Sequence, residues 1–260
     1  MSHPFVPSVG GIPSADIAVP EHEREVSFYS QVLTTGETPL WRDDLMNNQG
    51  TPIIGLGERI PAYEMLPLQW MPHIQVADVG ASVARALELG GGELIHHKGD
   101  DGTSLWAGLL DPHGAAFGII PVMSAESMPS DEGNPAERVG CITGFSLTVP
   151  DAPAIRDFYR QVVGWSVRDI EMEDSGEAYV DYDMLSDDGR SSTRICHARG
   201  ANSGLPSVWL MHLPVGDLAE SLRRVPEAGG EVVRAPRDVD RPNALAVIRD
   251  PVGVYLALVP

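Results

Sequence analysis

Polar and apolar positions fall into two short periods that succeed one another along the chain. In residues 142–149, Phe145, Leu147 and Val149 alternate with polar or small residues, the period of a half-buried strand. Ile155, Phe158, Tyr159, Val162 and Val163 follow at helical spacing and share one helix face. Asp151 is placed to cap that helix and Gly164 to end it. Strands are predicted next at 165–170, 178–185 and 193–198. The pattern then restarts, with a strand at 209–215, a helix at 218–225 and strands at 231–234, 244–248 and 254–259. The first half reads alike, with a strand at 15–19, a helix around Phe28-Tyr29 and a shortened strand region. It continues with a strand at 73–76, a helix at 79–89 and strands at 93–96, 106–110 and 116–120.

This succession repeats residue types as well as periods. Trp70 and Trp209, His73 and His212, Asp78 and Asp217, and Asp111 and Asp250 are each 139 positions apart. Gly91-Gly92-Glu93 and Gly229-Gly230-Glu231 are 138 apart, and Phe28-Tyr29 and Phe158-Tyr159 are 130 apart. Matches in one order imply a tandem duplication. The predicted organisation is a first module over 1–122, a linker over 123–138 rich in Ser, Pro, Asp, Glu and Gly, and a second module over 139–260. Each module reads as a βαβββ unit twice.

Charge narrows the function. The chain of 260 residues has 18 basic and 37 acidic side chains, a net charge of −19. Such a chain repels phosphate backbones and anionic lipid, so neither nucleic acid nor a membrane surface is an expected partner. Lys98 is the only lysine, which removes Schiff-base and P-loop chemistry. Cys141 and Cys196 have no metal or redox spacing and are expected as free thiols. No apolar run has transmembrane length and residues 1–11 do not resemble a secretory signal, so a cytoplasmic location is expected.

The helical Phe28-Tyr29-Ser30-Gln31-Val32 and Phe158-Tyr159-Arg160-Gln161-Val162 segments, the Gly-Gly pairs and the Asp111-Pro112-His113-Gly114 and Asp250-Pro251-Val252-Gly253 turns carry a resemblance. Over nearly its whole length the chain resembles tandem members of the vicinal oxygen chelate superfamily, the glyoxalase, bleomycin-resistance and extradiol-dioxygenase group. The resemblance implies an α+β fold of two modules, each of paired βαβββ units forming cupped mixed sheets. It also implies metal ligands on first and last strands. Those positions fall here near Ser14 and Gly144, on Met71 and Leu210, and on Gly118 and Ala257, so no cofactor or metal is expected.

Acid–base chemistry without a metal is the remaining option. Period two places Met71, His73 and Gln75 on one strand face, and Leu210 and His212 on the matching face of the repeat. Trp70 and Trp209 then point the other way, toward the core. An imidazole titrates near neutrality, at about 6.5, which suits proton transfer. His73 and His212 are therefore candidate catalytic residues, with a hydrogen-bonded interior histidine as the alternative. Asp183 is a third candidate; it shares a strand face with Asp181 and has Arg194 as a possible partner. Trp106, Tyr179, Asp181 and Arg194 join Met71, Gln75 and Leu210 as candidate ligand contacts, with core packing or a solvated face as the alternative. His22, His113 and His197 carry no pattern, and His96-His97 reads as exposed sequence.

The resemblance extends to tailoring factors of aromatic polyketide pathways. The expectation is a monomeric, metal-independent enzyme carrying out cyclisation, dehydration or isomerisation on an aromatic or polyketide-type molecule. Two alternatives stay open: a protein that sequesters a cationic antibiotic, and a metal-dependent lyase or dioxygenase.

Overall fold

The structure is a computed structural model that describes residues 7–33, 41–42, 45–46, 54–124 and 142–260. In chain order the elements are β1 (Ser14–Val19), α1 (His22–Leu33), β2 (Trp41–Arg42), β3 (Leu45–Met46), β4 (Ile54–Glu58), β5 (Met71–Val76), α2 (Val79–Glu88), β6 (Gly92–Lys98), β7 (Ser104–Leu110) and β8 (Ala116–Pro121). They continue with β9 (Gly144–Val149), α3 (Ala152–Val163), β10 (Ser166–Asp174), β11 (Glu177–Leu185), β12 (Ser191–His197), β13 (Trp209–Pro214), α4 (Leu218–Glu227), β14 (Glu231–Arg234), β15 (Ala246–Arg249) and β16 (Tyr255–Val259). This is the expected α+β arrangement of mixed sheets and few helices. The linker expected over 123–138 lies outside the described residues apart from 123 and 124.

Two compact units emerge, and each takes one βαβββ motif from each sequence repeat. The first holds the described residues of 1–13, 71–128 and 145–209; the second holds those of 14–70, 129–144 and 210–260. Strand order in the first is β5-β8-β7-β6 and β9-β12-β11-β10; in the second it is β1-β4-β3-β2 and β13-β16-β15-β14.

In the first unit, α3 buries Ile155, Phe158, Tyr159, Val162 and Val163, the face predicted from spacing. Asp151 caps it through the amide of Ala154 at 3.1 Å, and Gly164 ends it at φ 94°. The aspartate that follows each Trp-x-x-His is also a helix cap: Asp78 accepts from Ala81 and, in the second unit, Asp217 accepts from Glu220, both at 2.9 Å. Side-chain capping of this kind satisfies an amide that the helix leaves unpaired. Strand β10 runs four residues beyond the predicted end, to Asp174, and turns through Ser175 and Gly176, both at positive φ. Its far half is charged and exposed, so no apolar alternation marks it.

The repeated Tyr and Asp meet within each unit. In the first, the buried Tyr159 hydroxyl donates to Asp111 Oδ2 at 3.3 Å, while Asp111 Oδ1 accepts the amides of His113 and Ala115. In the second, Tyr29 donates to Asp250 Oδ2 at 2.7 Å, and Asp250 Oδ1 accepts the amides of Val252 and Val254. The Asp-Pro-x-Gly turn thus presents a carboxylate to the Phe-Tyr helix of the other motif in its unit. Burial raises the Asp111 carboxyl, and the amides of Ala115 and His113 oppose that shift.

The first unit also gathers the segment before β1. Gly10 donates to the Gln75 carbonyl at 2.7 Å and accepts from Trp165 Nε1 at 2.8 Å. Its φ is +89°, and a Cβ there would stand 2.4 Å from the Trp165 ring. Only glycine fits such a position without strain.

Candidate functional site

Strand register decides which candidates share a surface. In the first unit His73 pairs with Gly118, Gly118 with Gly108, and Gly108 with Ile95. Paired residues lie on one sheet face, so Ile95–Gly108–Gly118–His73 forms a row across β6, β7, β8 and β5. Ala107, Leu109 and Ile74 point to the other face, where α2 packs, and all three are fully buried. The row therefore lies on the helix-free face.

Neighbouring side chains lie against the glycines. A Cβ on Gly118 would be 2.6 Å from His73 Cδ2, and one on Gly108 would be 3.0 Å from Ile95 Cγ2 and 3.4 Å from Met71 Sδ. Trp106, two residues before Gly108 and on the same face, stacks with His97 at 6.0 Å and 23°. Trp106 and His73 are half-buried and His97 is exposed. Met71, His73 and Trp106 thus share one sheet face, with Met71 buried. Gln75 is not available there: it is fully buried, and its Oε1 accepts the Met123 amide at 2.7 Å. That bond corrects the expectation of a ligand contact at Gln75.

In the second unit the corresponding row is Arg234–Val247–Ala257–His212. The glycines are replaced by valine and alanine. His212 Nδ1 lies 3.6 Å from where a Cβ on Gly144 would be. Leu210 is 1% exposed and offers a ligand almost no surface, which corrects its expected contact role.

The other candidates belong to the β9-β12-β11-β10 sheet of the first unit. Asp183 is buried, with Oδ2 accepting from Arg168 and Oδ1 from Ser191 Oγ. Arg168 and Arg194 flank Asp183 on opposite sides in register, but the ion pair comes from Arg168. The expected Asp183–Arg194 partnership is thereby corrected; Arg194 is exposed. With both oxygens engaged, Asp183 ties β10 and β12 to β11 and is a poor general base. Asp181, also buried, accepts from the His197 amide at 2.8 Å and from His197 Nδ1 at 3.1 Å. Tyr179 meets the His197 ring edge-on at 5.6 Å, and Arg199 lies 4.5 Å over the Tyr179 ring. Sequence reasoning overlooked this Asp181–His197 pair. Its signal was the β11–β12 hairpin, which brings 181 opposite 196 if the register continues past Ile195.

The metal positions implied by the fold do not fit a metal. Gly118 and Ala257 have no donor atoms, and the space beside Gly118 is taken by the His73 ring. Among the described residues no three His, Cys, Asp or Glu side chains cluster in a way that could hold an ion.

Tandem βαβββ motifs, the buried Tyr–Asp ties and the Asp-Pro-x-Gly turns define a glyoxalase-type fold. The chain belongs to the Glyoxalase/Bleomycin resistance protein/Dioxygenase superfamily: that family's sequence model matches residues 141–258, and the glyoxalase-like domain model matches 14–120. Among curated proteins it is 28% identical over 131 residues to the anthracycline biosynthesis protein DnrV of Streptomyces peucetius. The match spans 46% of each chain, so the chain spans less than half the length of that relative. Among solved structures it is similar to the Mn(II)-bound glyoxalase from Novosphingobium aromaticivorans, with TM-score 0.57 and 17% identity over 96% of this chain and 82% of that one. A variant of homoprotocatechuate 2,3-dioxygenase from Brevibacterium fuscum gives TM-score 0.55 and 17% identity over 97% of this chain and 71% of that one. At such identity the structures show the fold alone.

Proposed function

We propose that the chain is a metal-independent enzyme of this superfamily that moves a proton on an aromatic or polyketide-type natural product, in a cyclisation, dehydration or isomerisation. The observation that carries this reading is the His73 surface, where one half-exposed imidazole stands with Met71 and Trp106 beside a glycine that offers no metal ligand. Similarity to an anthracycline biosynthesis protein supports a natural-product setting. In the reaction Trp106 and Met71 hold the ring system, and His73 takes a proton from an acidic carbon or hydroxyl and returns it to the product. A general base of this kind is worth about 10²–10⁴ in rate. Substituting His73→Ala and His212→Ala singly, and following polycyclic aromatic substrates by absorbance and mass, tests the assignment. Loss of about 100-fold or more in turnover with a folded protein is expected for the working histidine. Unchanged turnover in both variants refutes it.

The net charge of −19 favours a second reading, in which the chain sequesters a cationic drug. Stoichiometric binding that weakens steeply with salt and returns the drug unchanged identifies that case.

A further inference from the structure

We infer that the row Ile95–Gly108–Gly118–His73 is the floor on which a flat, uncharged ring system rests, and that Gly118 is the positioning residue that sets His73 there. The inference rests on the proposed acid–base reading and deepens it by choosing between the two duplicated histidines and naming the ligand class.

The two rows differ at every position except the histidine. Ile95, Gly108 and Gly118 in the first unit correspond to Arg234, Val247 and Ala257 in the second. In the first row His73 lies across β8, because Gly118 has no Cβ to meet its Cδ2 at 2.6 Å. Ile95 and Met71 lie down over Gly108 in the same manner. These side chains fill glycine gaps instead of standing on the sheet, and the surface they leave is low, apolar and edged by the Trp106–His97 stack. Such a surface suits stacking and dispersion contact with a planar ring. In the second row Ala257 and Val247 carry side chains where the first row has glycines, Arg234 replaces Ile95, and the residue 139 positions after Trp106 is Leu245, which precedes β15. His212 is paired with Ala257, and its Nδ1 lies 3.6 Å from where a Cβ on Gly144 would be.

The test uses quinizarin, a planar uncharged dihydroxyanthraquinone, titrated by absorbance into the full chain, with histidine ring signals read by NMR. Gly118→Ala installs the residue of the second repeat. It is expected to move the His73 ring signals, leave those of His212 in place, and weaken quinizarin binding by about tenfold, equivalent to ~1.4 kcal/mol. Trp106→Leu, also the second repeat's residue, is expected to weaken binding without moving His73, and serves if Gly118→Ala does not fold. His212→Ala is expected to leave binding unchanged. The inference is overturned if quinizarin does not bind the wild-type chain, if neither Gly118→Ala nor Trp106→Leu weakens it, or if Gly118→Ala leaves the His73 signals where they were. Binding that follows these expectations, without turnover of any polycyclic substrate, keeps the floor and refutes the enzyme reading alone.

Discussion

Raising the pH from about 6 to about 9.5 is a perturbation aimed at one side chain, Glu25. This residue of α1 is fully buried, and neither carboxyl oxygen meets a hydrogen-bond donor. Its neighbour is the Asp250 carboxyl, already bound by Tyr29 and by the amides of Val252 and Val254. Two carboxylates have no proton to share, so one must keep its own. Burial, followed by the Asp250 charge, pushes Glu25 up to about 9 from an ordinary 4.5, while Arg24 opposes the shift and Glu21 adds to it. Burial raises Asp250 as well. The equivalent helix position in the first unit, 130 residues on, is Ile155, which needs no proton. The sign follows from linkage. Between 4.5 and about 9 the folded chain holds a proton that the unfolded chain has lost. Stability is therefore full at acid pH and falls as pH rises, by up to ~1.4 kcal/mol per pH unit. From pH 7 to 9 the loss is ~2–3 kcal/mol, or about 5–10 °C in Tm for a chain of this size. Thermal melts at intervals across that range, for wild type and Glu25→Gln, measure it. Glutamine keeps the shape, supplies a donor to Asp250 and does not titrate, so its profile is expected to be flatter by that amount. Glu25→Ile, which copies the first unit, should flatten it too. Parallel profiles for wild type and Glu25→Gln would refute the protonated Glu25.

Other outcomes follow from single contacts. Tyr29→Phe removes a buried hydroxyl donor to a carboxylate and is expected to cost ~1.5–3 kcal/mol in denaturant melts; Tyr159→Phe, whose bond is longer, should cost less. Gly10→Ala forces a Cβ into the Trp165 ring at a positive φ and is expected to cost ~2–3 kcal/mol, with Trp165 fluorescence reporting the displaced segment. Arg168→Ala leaves Asp183 with Ser191 alone; Arg168 is 62% exposed, so solvent screens the pair and a loss of only ~1 kcal/mol is expected. A larger loss from Arg194→Ala would reverse the partner assignment.

Local periodicity made the helices and most strands legible, because each α3 residue that faces the core is fixed by spacing within the helix itself. The partners of those faces were not legible. Tyr29 and Asp250 are 221 positions apart, and nothing near either residue says that the Phe-Tyr helix of one repeat binds the turn of the other. Asp183 shows the same limit at short range. Arginines flank it in register on both sides, so alternation alone cannot choose between them; side-chain geometry selects Arg168. Glu25 had a usable signal that went unread. Setting the two Phe-Tyr helices side by side puts an acid opposite Ile155 on a core-facing position, and an acid there must be paired or protonated.

Duplication itself explains why the candidate site was half legible. Copying made His73 and His212 visible, since a residue retained with its neighbours at a constant offset stands out from any single occurrence. The same copying gave no ground for choosing between the two histidines, because identity in sequence says nothing about their surroundings. That difference lies in residues read only as lost metal positions. Gly118 gives the His73 ring a place to lie, whereas Ala257 puts a methyl group at the position paired with His212. A ligand position vacated in both repeats was thus filled in two ways, by a glycine against which the His73 ring lies and by an alanine beside His212. Divergence at three strand positions, without any change in fold, is the difference on which the proposed choice between the two repeats rests.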